Sequence, residues 1–343
     1  MVERGPGLLV RPRFGPSAWT RRRGEVASLV GRRVLLAVPL VAVLSAGVFA
    51  LASLSPFDPL DAYLGANYTT TSAAERAEMA AALGLDVPWW QAWWVWAAGL
   101  MHGDLGFSRI YSQPVTQVLA ERLPWTLLLS GVGVLLGAVL AVALGVHAGL
   151  RPGSWSDRLA RGLAVLLQAV PPYVVALAGI FVFALLLRVL PAGGASPPGT
   201  DVTATGLASH LVLPAGVLAL SVMPWMLLSV RASVAAALRS DPVTYALARG
   251  LPTRTIVTGH ILPVSLAPLV TLIGVRLPEL VVGAVLVEEV FAWPGVAAAT
   301  VAAARELDFA LLAVLSVGTT VLVLLGSLLA DAVYLLLDPR VSA

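Results

Sequence analysis

Apolar residues run in six long stretches, near residues 34–54, 125–150, 159–190, 210–230, 264–291 and 309–337. Each is long enough to approach the roughly 20 helical residues that cross about 30 Å of hydrocarbon. Lipid offers no partner for backbone N–H and C=O groups, so these stretches are predicted to be helices. The short alternating segments of a membrane barrel are missing. The fold class predicted is therefore an all-α integral membrane protein with six transmembrane helices. Its parts are a tail at 1–33, the first helix at 34–54, an extracytoplasmic segment at 55–122 and a five-helix core at 123–343. That core includes a cytoplasmic segment at 240–263.

Composition agrees with this class. Of 343 residues, 58% are hydrophobic and 12% are charged. A chain this apolar cannot cover itself with polar groups in water, which excludes a soluble or disordered protein. The chain has no Cys, so disulfides, thiolate metal sites and Cys nucleophiles are excluded. All 22 basic residues are Arg. Without Lys there is no phosphate-binding P-loop and no Schiff-base chemistry. The chain is not predicted to be an enzyme, and it carries no cofactor of its own. The formal charge of +3 is no sign of nucleic-acid binding, because the Arg residues sort by membrane side.

Eight Arg lie in the N-terminal tail. Arg151, Arg158 and Arg161 follow the second stretch, Arg231, Arg239, Arg249 and Arg254 follow the fourth, and Arg340 lies at the end. With six crossings these all fall on one side, and only Arg76, Arg109, Arg122, Arg188 and Arg305 fall on the other. Positive residues mark the cytoplasmic side, so both termini are predicted to be cytoplasmic. Ala50-Leu51-Ala52 resembles a signal cleavage site. The 21-residue apolar run and the long charged tail favour a retained helix instead.

Residues 55–122 hold seven acids and three Arg. Ser72-Ala73-Ala74-Glu75 fits a capping box that opens a short helix ending at Gly84. Trp89, Trp90, Trp93, Trp94 and Trp96 follow, with 89, 93 and 96 on one helical face. Such a cluster suits either a substrate surface or the headgroup layer, where Trp is favoured, and the second reading carries more weight. Residues 191–209, rich in Pro, Gly and Thr, are predicted to be an external loop. Pro171-Pro172 is predicted to kink the third crossing.

The cytoplasmic segment after the fourth stretch carries the most information. It runs from Asp241 through Ala246, Ala248, Arg249 and Gly250 to Leu251, Arg254, His260, Leu262 and Pro263. Gly250 can close one helix and Pro252 can open another. A short helix–turn–helix along the cytoplasmic face results. It resembles the coupling motif of ABC-importer permeases, E-A-A-x3-G-x9-I-x-L-P. Leu262 and Pro263 stand 12 and 13 residues after Gly250, as that motif requires, and Ala246 takes its second Ala. Thr244, Tyr245 and His260 depart from it. The segment as a whole resembles the variant found in dipeptide, oligopeptide and nickel permeases, D-Y-V-R-T-A-R-A-K-G-L with a later His. Asp241, Val243, Ala246, Ala248, Gly250, Leu251, Arg254 and His260 match, while Pro242 replaces Tyr and Arg249 replaces Lys.

Further matches extend the resemblance along the chain. They include Ser55-Pro56-Phe57-Asp58-Pro59, Leu83-Gly84-Leu85-Asp86, Gly103-Asp104-Leu105-Gly106 with Ser108, and Arg122-Leu123-Pro124. Gly153-Ser154-Trp155 with Asp157-Arg158, Glu288 with Trp293-Pro294-Gly295, and Asp331 with Asp338-Pro339-Arg340 complete it. The resemblance implies the type I importer permease fold and the first of two permease subunits. It implies as partners a second permease, two cytoplasmic ATPases that bind ATP, and an extracytoplasmic solute-binding protein, all at a bacterial inner membrane. It implies that residues 241–263 seat in an ATPase groove. Small Ala246, Ala248 and Gly250 would allow close approach, and Arg249 and Arg254 would meet acids or helix ends.

Polar residues inside crossings are costly and often functional. Gln168, Ser221, Glu279 and Glu288 are candidates for the translocation pathway. Arg276 and Glu279 stand three residues apart and can neutralise each other, and Glu288 suits a gate or a folding role. Asp331 can pair with another crossing or a partner. No metal role is expected for His260. A secondary transporter, which would use such acids for ion coupling, is the rival reading, but it leaves 241–263 without a role. A membrane enzyme lacks any His–Ser or His–acid arrangement, and a channel lacks a filter-like repeat. Peptides, nickel and other small solutes all remain possible cargo.

Overall fold

In a computed structural model of the protein, residues 16–54, 60, 64, 67–82, 86–197 and 199–337 are described. The side chains of 16–29, 267, 270–272, 274–283 and 329–337 lie outside that description. The described chain is mostly helical, as expected. Among the described residues, four helices are long and apolar enough to cross a membrane: Val30–Ser53, Val115–Gly149, Ala204–Ala237 and Phe309–Leu328. A sharply bent pair, Trp155–Ala169 with Pro172–Leu186, makes a fifth if it is counted as one crossing.

The order is as follows. Helix α1 (Pro16–Ser53) contains the first apolar stretch. Helix α2 (Ala73–Ala82) and helix α3 (Trp89–Met101) lie in the segment after it. The short strands β1 (Phe107–Ser108) and β2 (Gln113–Pro114) pair antiparallel. Helix α4 (Val115–Gly149) follows, then α5 (Trp155–Ala169) and α6 (Pro172–Gly179), which runs into a π-helical stretch, Ile180–Leu186. Helix α7 (Ala204–Ala237) leads into α8 (Asp241–Ala248) and α9 (Thr253–Ile256). A second π-helical stretch, Val257–Ile261, joins α10 (Leu262–Val290). Helices α11 (Val296–Arg305) and α12 (Phe309–Leu337) complete the chain.

The centre of the molecule is the pairing of α4 with α7. A Cβ built on Gly133 would come 2.7 Å from Leu218, and one on Gly137 2.8 Å from Val222. One on Gly145 would come 3.0 Å from Val230, and one on Gly149 2.7 Å from Val234. Only glycine allows so close an approach of two helix backbones. Ala141, fully buried, fills the middle of this four-residue repeat. Both partners advance together along the chain, so α4 and α7 run parallel. The intervening chain must therefore return from one end of the pair to the other.

That return is bent far more sharply than the kinked helix expected over 159–190. Helix α5 and the following helix meet at 99°. Val170, ahead of Pro171, is extended at φ −96° and ψ 122°, the conformation that a following proline imposes. Pro172 opens α6, where its missing N–H leaves nothing unpaired. The double proline is a corner rather than a kink.

Local expectations hold elsewhere. Ser72 and Glu75 form the reciprocal capping box, with Ser72 N donating to Glu75 Oε2 at 2.9 Å and Glu75 N to Ser72 Oγ at 3.3 Å. These bonds hold the Glu75 carboxyl below its ordinary pKa. On α3, Trp89, Trp93 and Trp96 are half-buried while Trp90 and Trp94 are exposed. Trp93 Nε1 donates to Ser45 Oγ of α1 at 3.0 Å, and Trp96 packs on Phe49. The tryptophan face is thus largely an α1–α3 contact. Ser55–Pro59, Leu83–Leu85 and Asp338–Arg340 lie outside the described residues.

Candidate functional site

The 241–263 segment folds as a helical elbow. Ser240 precedes α8 in extended conformation, and Ser240 O accepts from Val243 N and Thr244 N, both at 3.1 Å. Pro242 sits in the first turn, where a proline is tolerated, so its replacement of Tyr leaves the helix start intact. The helix ends as Gly250 turns left-handed at φ +69°, and Leu251 N donates back to Ala246 O at 3.2 Å. That closure needs a residue at ease with positive φ. No atom lies within 4 Å of where a Gly250 Cβ would point. Gly250 is therefore required by its backbone conformation rather than by close packing within this chain.

The second half differs from a separate short helix. Helix α9 passes through the π-helical stretch directly into α10, with Pro263 in the first turn of α10. Pro263 cannot donate to an i−4 carbonyl, and a widened turn just before it absorbs that missing bond.

The elbow has an inner and an outer face. Val243, Ala246, Ile256 and Ile261 are buried in a cluster with Met223, Leu227, Val230 and Val234 of α7. Ala246 is thus part of the interior of this chain, on the same helical face as Val243. The outer face carries Asp241, Tyr245, Leu247, Ala248, Arg249, Gly250 and Arg254, with Tyr245 71% exposed. Leu251, His260 and Leu262 are half-buried at the edge, and Pro263 is exposed.

Beside the elbow, Asp157 of the Gly153–Arg158 motif pairs with Arg231 of α7. Asp157, at the first turn of α5, is fully buried. Its Oδ1 accepts from Arg231 Nε and its Oδ2 from Arg231 Nη2, each at 2.8 Å. Oδ2 also accepts from Gly153 N at 2.9 Å, and Arg161 Nε stands 3.5 Å from Oδ1. Planar guanidinium and carboxylate groups match in such two-bond pairs.

The pathway candidates are not brought together. Gln168 is exposed on α5. Ser221 Oγ donates to Leu218 O of its own helix at 2.8 Å. The side chains of Arg276, Glu279 and Asp331 lie outside the described residues. Glu288 is fully buried and holds a structural junction. Its Oε1 accepts from Thr126 Oγ1 at 2.6 Å, and its Oε2 accepts from Ala297 N and Ala298 N at 2.8 and 3.1 Å. It therefore caps the start of α11 by accepting from N–H groups that have no partner within the helix.

A cavity of about 750 Å³ opens nearby between α4, α10, α11 and α12. Among the described residues its wall is apolar except for Thr126, Ser130, Thr300, Ser316 and Thr319. Of the described pathway candidates, Gln168, Ser221 and Glu288 are not among its lining residues. Scattered hydroxyls give no periodic signal in a sequence, which explains why they were passed over.

Two buried polar groups also escaped the sequence reading. Asp308 precedes α12 and accepts from Ser108 Oγ at 2.7 Å and Arg109 N at 2.8 Å, which ties the β1–β2 hairpin to the last crossing. His210 Nδ1 donates to Gly193 O at 2.9 Å, and Gly194 N donates to Phe291 O at 2.7 Å, so the 191–197 loop is anchored at the same end.

Comparison with known proteins agrees with this architecture. Residues 133–343 match the family described as binding-protein-dependent transport system inner membrane component. A Brucella ovis protein named as a peptide permease is 33% identical over 312 residues, covering 90% of this chain and 97% of that protein. The oligopeptide transport system permease protein of Bacillus subtilis is 29% identical, covering 92% of this chain and 99% of its own length. The dipeptide transport system permease protein of Escherichia coli K12 is 28% identical, with 90% and 97% covered. The chain therefore belongs to the binding-protein-dependent transport system inner membrane components, as a multi-pass permease subunit of the peptide branch of bacterial ABC importers.

Proposed function

We propose that this chain forms half of a peptide translocation pathway and takes mechanical work from a cytoplasmic ATPase through residues 241–263. It crosses the membrane six times with both termini cytoplasmic. It pairs with a different permease, two ATPases dock beneath the pair, and an extracytoplasmic binding protein delivers the solute. ATP is bound by the partner subunits, and this chain holds no cofactor. The names of its relatives support a peptide cargo. The observation that carries the coupling role is the two-faced elbow. Its inner face is fixed to the α7 core by Val243, Ala246, Ile256 and Ile261, and its outer face offers Tyr245, Leu247, Ala248, Arg249 and Arg254.

The parallel register of α4 and α7 supports the orientation. It places Arg151, Arg158 and Arg161 at the same end as Arg239, Arg249 and Arg254. A push on the elbow is passed to α7 and α10, which flips the crossings between inward-open and outward-open forms. The hydroxyl-lined cavity, more than Gln168 or Ser221, is the face assigned to the pathway, and Glu279 stays a candidate on sequence grounds alone.

The test is co-purification and uptake together. Leu247→Asp with Arg249→Glu reverses the outer face without touching the inner one. The variant is expected to lose the ATPase subunits and solute uptake while the permease pair remains. Unchanged ATPase binding would overturn the coupling role. Uptake of labelled peptide by a complex without any ATPase would favour a secondary transporter.

A further inference from the structure

Ten residues before α8 begins, Arg231 leaves α7 and clasps Asp157 of α5. Helix α5 in turn runs into the Pro171-Pro172 corner and the crossing beyond it. Around the clasp, α5 meets the core with Ala160 and Ala164 buried and Leu163 and Leu167 partly buried in or against the cluster that contains Val230 and Val234. Apolar contacts are non-directional and allow small shear steps between packed helices. A two-bond ion pair resists such steps, because separating it strands a buried charge. Both Asp157 oxygens are occupied, and Gly153 N fixes the carboxylate to the α4–α5 turn as well.

We propose that Asp157 and Arg231 are positioning residues for coupling: their clasp makes α5 and the elbow-proximal end of α7 move as one body. A displacement of residues 241–263 then reaches the corner at 171–172 and turns the third crossing. Without the clasp, the elbow still binds and follows the ATPase, but α5 lags behind. This inference rests on the coupling role proposed for 241–263.

The measurement is solute uptake per ATP hydrolysed by the assembled importer in vesicles, with radiolabelled di- and tripeptides as probe. Asp157→Asn keeps an acceptor for Gly153 N and leaves the backbone cap from Asp157 N to Ser154 Oγ in place. It is expected to retain the ATPase subunits and their hydrolysis, while uptake per ATP falls at least about fivefold, the lower end of ordinary site-to-site coupling. The chain has no Cys, so Asp157→Cys with Arg231→Cys introduces its sole thiol pair. Joining the two with a short bifunctional methanethiosulfonate is expected to restore the ratio, and reductant to lower it again.

A merely structural pair would reduce the amount of complex and leave the ratio of the surviving complexes unchanged. An unchanged ratio in Asp157→Asn overturns the proposal, as does indifference of the assembled thiol variant to cross-linking. Should the thiol variant fail to assemble, Asp157→Asn decides. Failure of the underlying coupling role reads differently: the outer-face variant of 241–263 would keep its ATPase.

Discussion

Thr126 Oγ1 and Glu288 Oε1 meet at 2.6 Å although 162 residues separate them in the chain. The same threonine hydroxyl accepts from Val296 N at 2.8 Å. One threonine and one glutamate thus receive the first three free N–H groups of α11, and Trp293 Nε1 donates to Trp125 O at 3.0 Å beside them. An acid inside a crossing invites a transport role, but here its oxygens are committed to the fold.

Glu288→Ala is expected to leave two buried N–H groups unpaired and to destabilise the permease by about 2–4 kcal/mol. Glu288→Gln, which keeps one acceptor oxygen, should cost about half as much. Gly295→Ala should be similarly harmful, because its Cβ would fall on the Glu288 carboxylate. Thermal unfolding of the purified complex checks all three. Wild-type stability with reduced uptake in Glu288→Ala would return the residue to the pathway.

Gly250→Asn and Gly250→Val separate conformation from packing. Open space surrounds the missing side chain, while the backbone sits at φ +69°. Asn tolerates that region and Val does not. Asn is expected to retain most uptake, and Val to lose ATPase binding. Equal loss in both would mean that an ATPase packs directly on this glycine.

The hairpin clasp at Asp308 is the third case. Asp308→Ala removes the acceptor for Ser108 Oγ and Arg109 N and should cost about 1–3 kcal/mol locally. Limited proteolysis should then cut between residues 104 and 114. Resistance to cutting at wild-type level would show that the hairpin is held by other contacts.

Glycines along α4 are expected to differ by position. Gly145→Val and Gly137→Leu drive a side chain into α7 and should abolish assembly, since overpacking of a tight contact costs at least about 1–3 kcal/mol even in forgiving sites. Gly131→Ala, which meets nothing within 4 Å, should be silent. Yield of folded permease in detergent distinguishes them.

The helical membrane class was legible from apolar run length, because lipid imposes helices. The elbow was legible because Gly250, Pro252 and Pro263 leave few backbone options. The inward turn of Ala246 was less so, since a small residue serves equally in a core and at a docking face. The Asp157–Arg231, Thr126–Glu288 and Ser108–Asp308 pairs were not legible at all. Each joins positions tens to hundreds of residues apart, and no local period encodes such a partner. The corner at 171–172 fell between: two prolines announce a break, but its 99° depends on what α5 packs against.

The α4–α7 register has a genetic corollary. Gly133 faces Leu218, Gly137 faces Val222, Gly145 faces Val230 and Gly149 faces Val234, a constant offset of 85 positions. A harmful enlargement at position n should therefore be rescued by trimming position n + 85, and by few others. A suppressor screen on Gly137→Ala should yield Val222→Ala, so that two helices far apart in sequence acquire one shared ruler for compensating mutations.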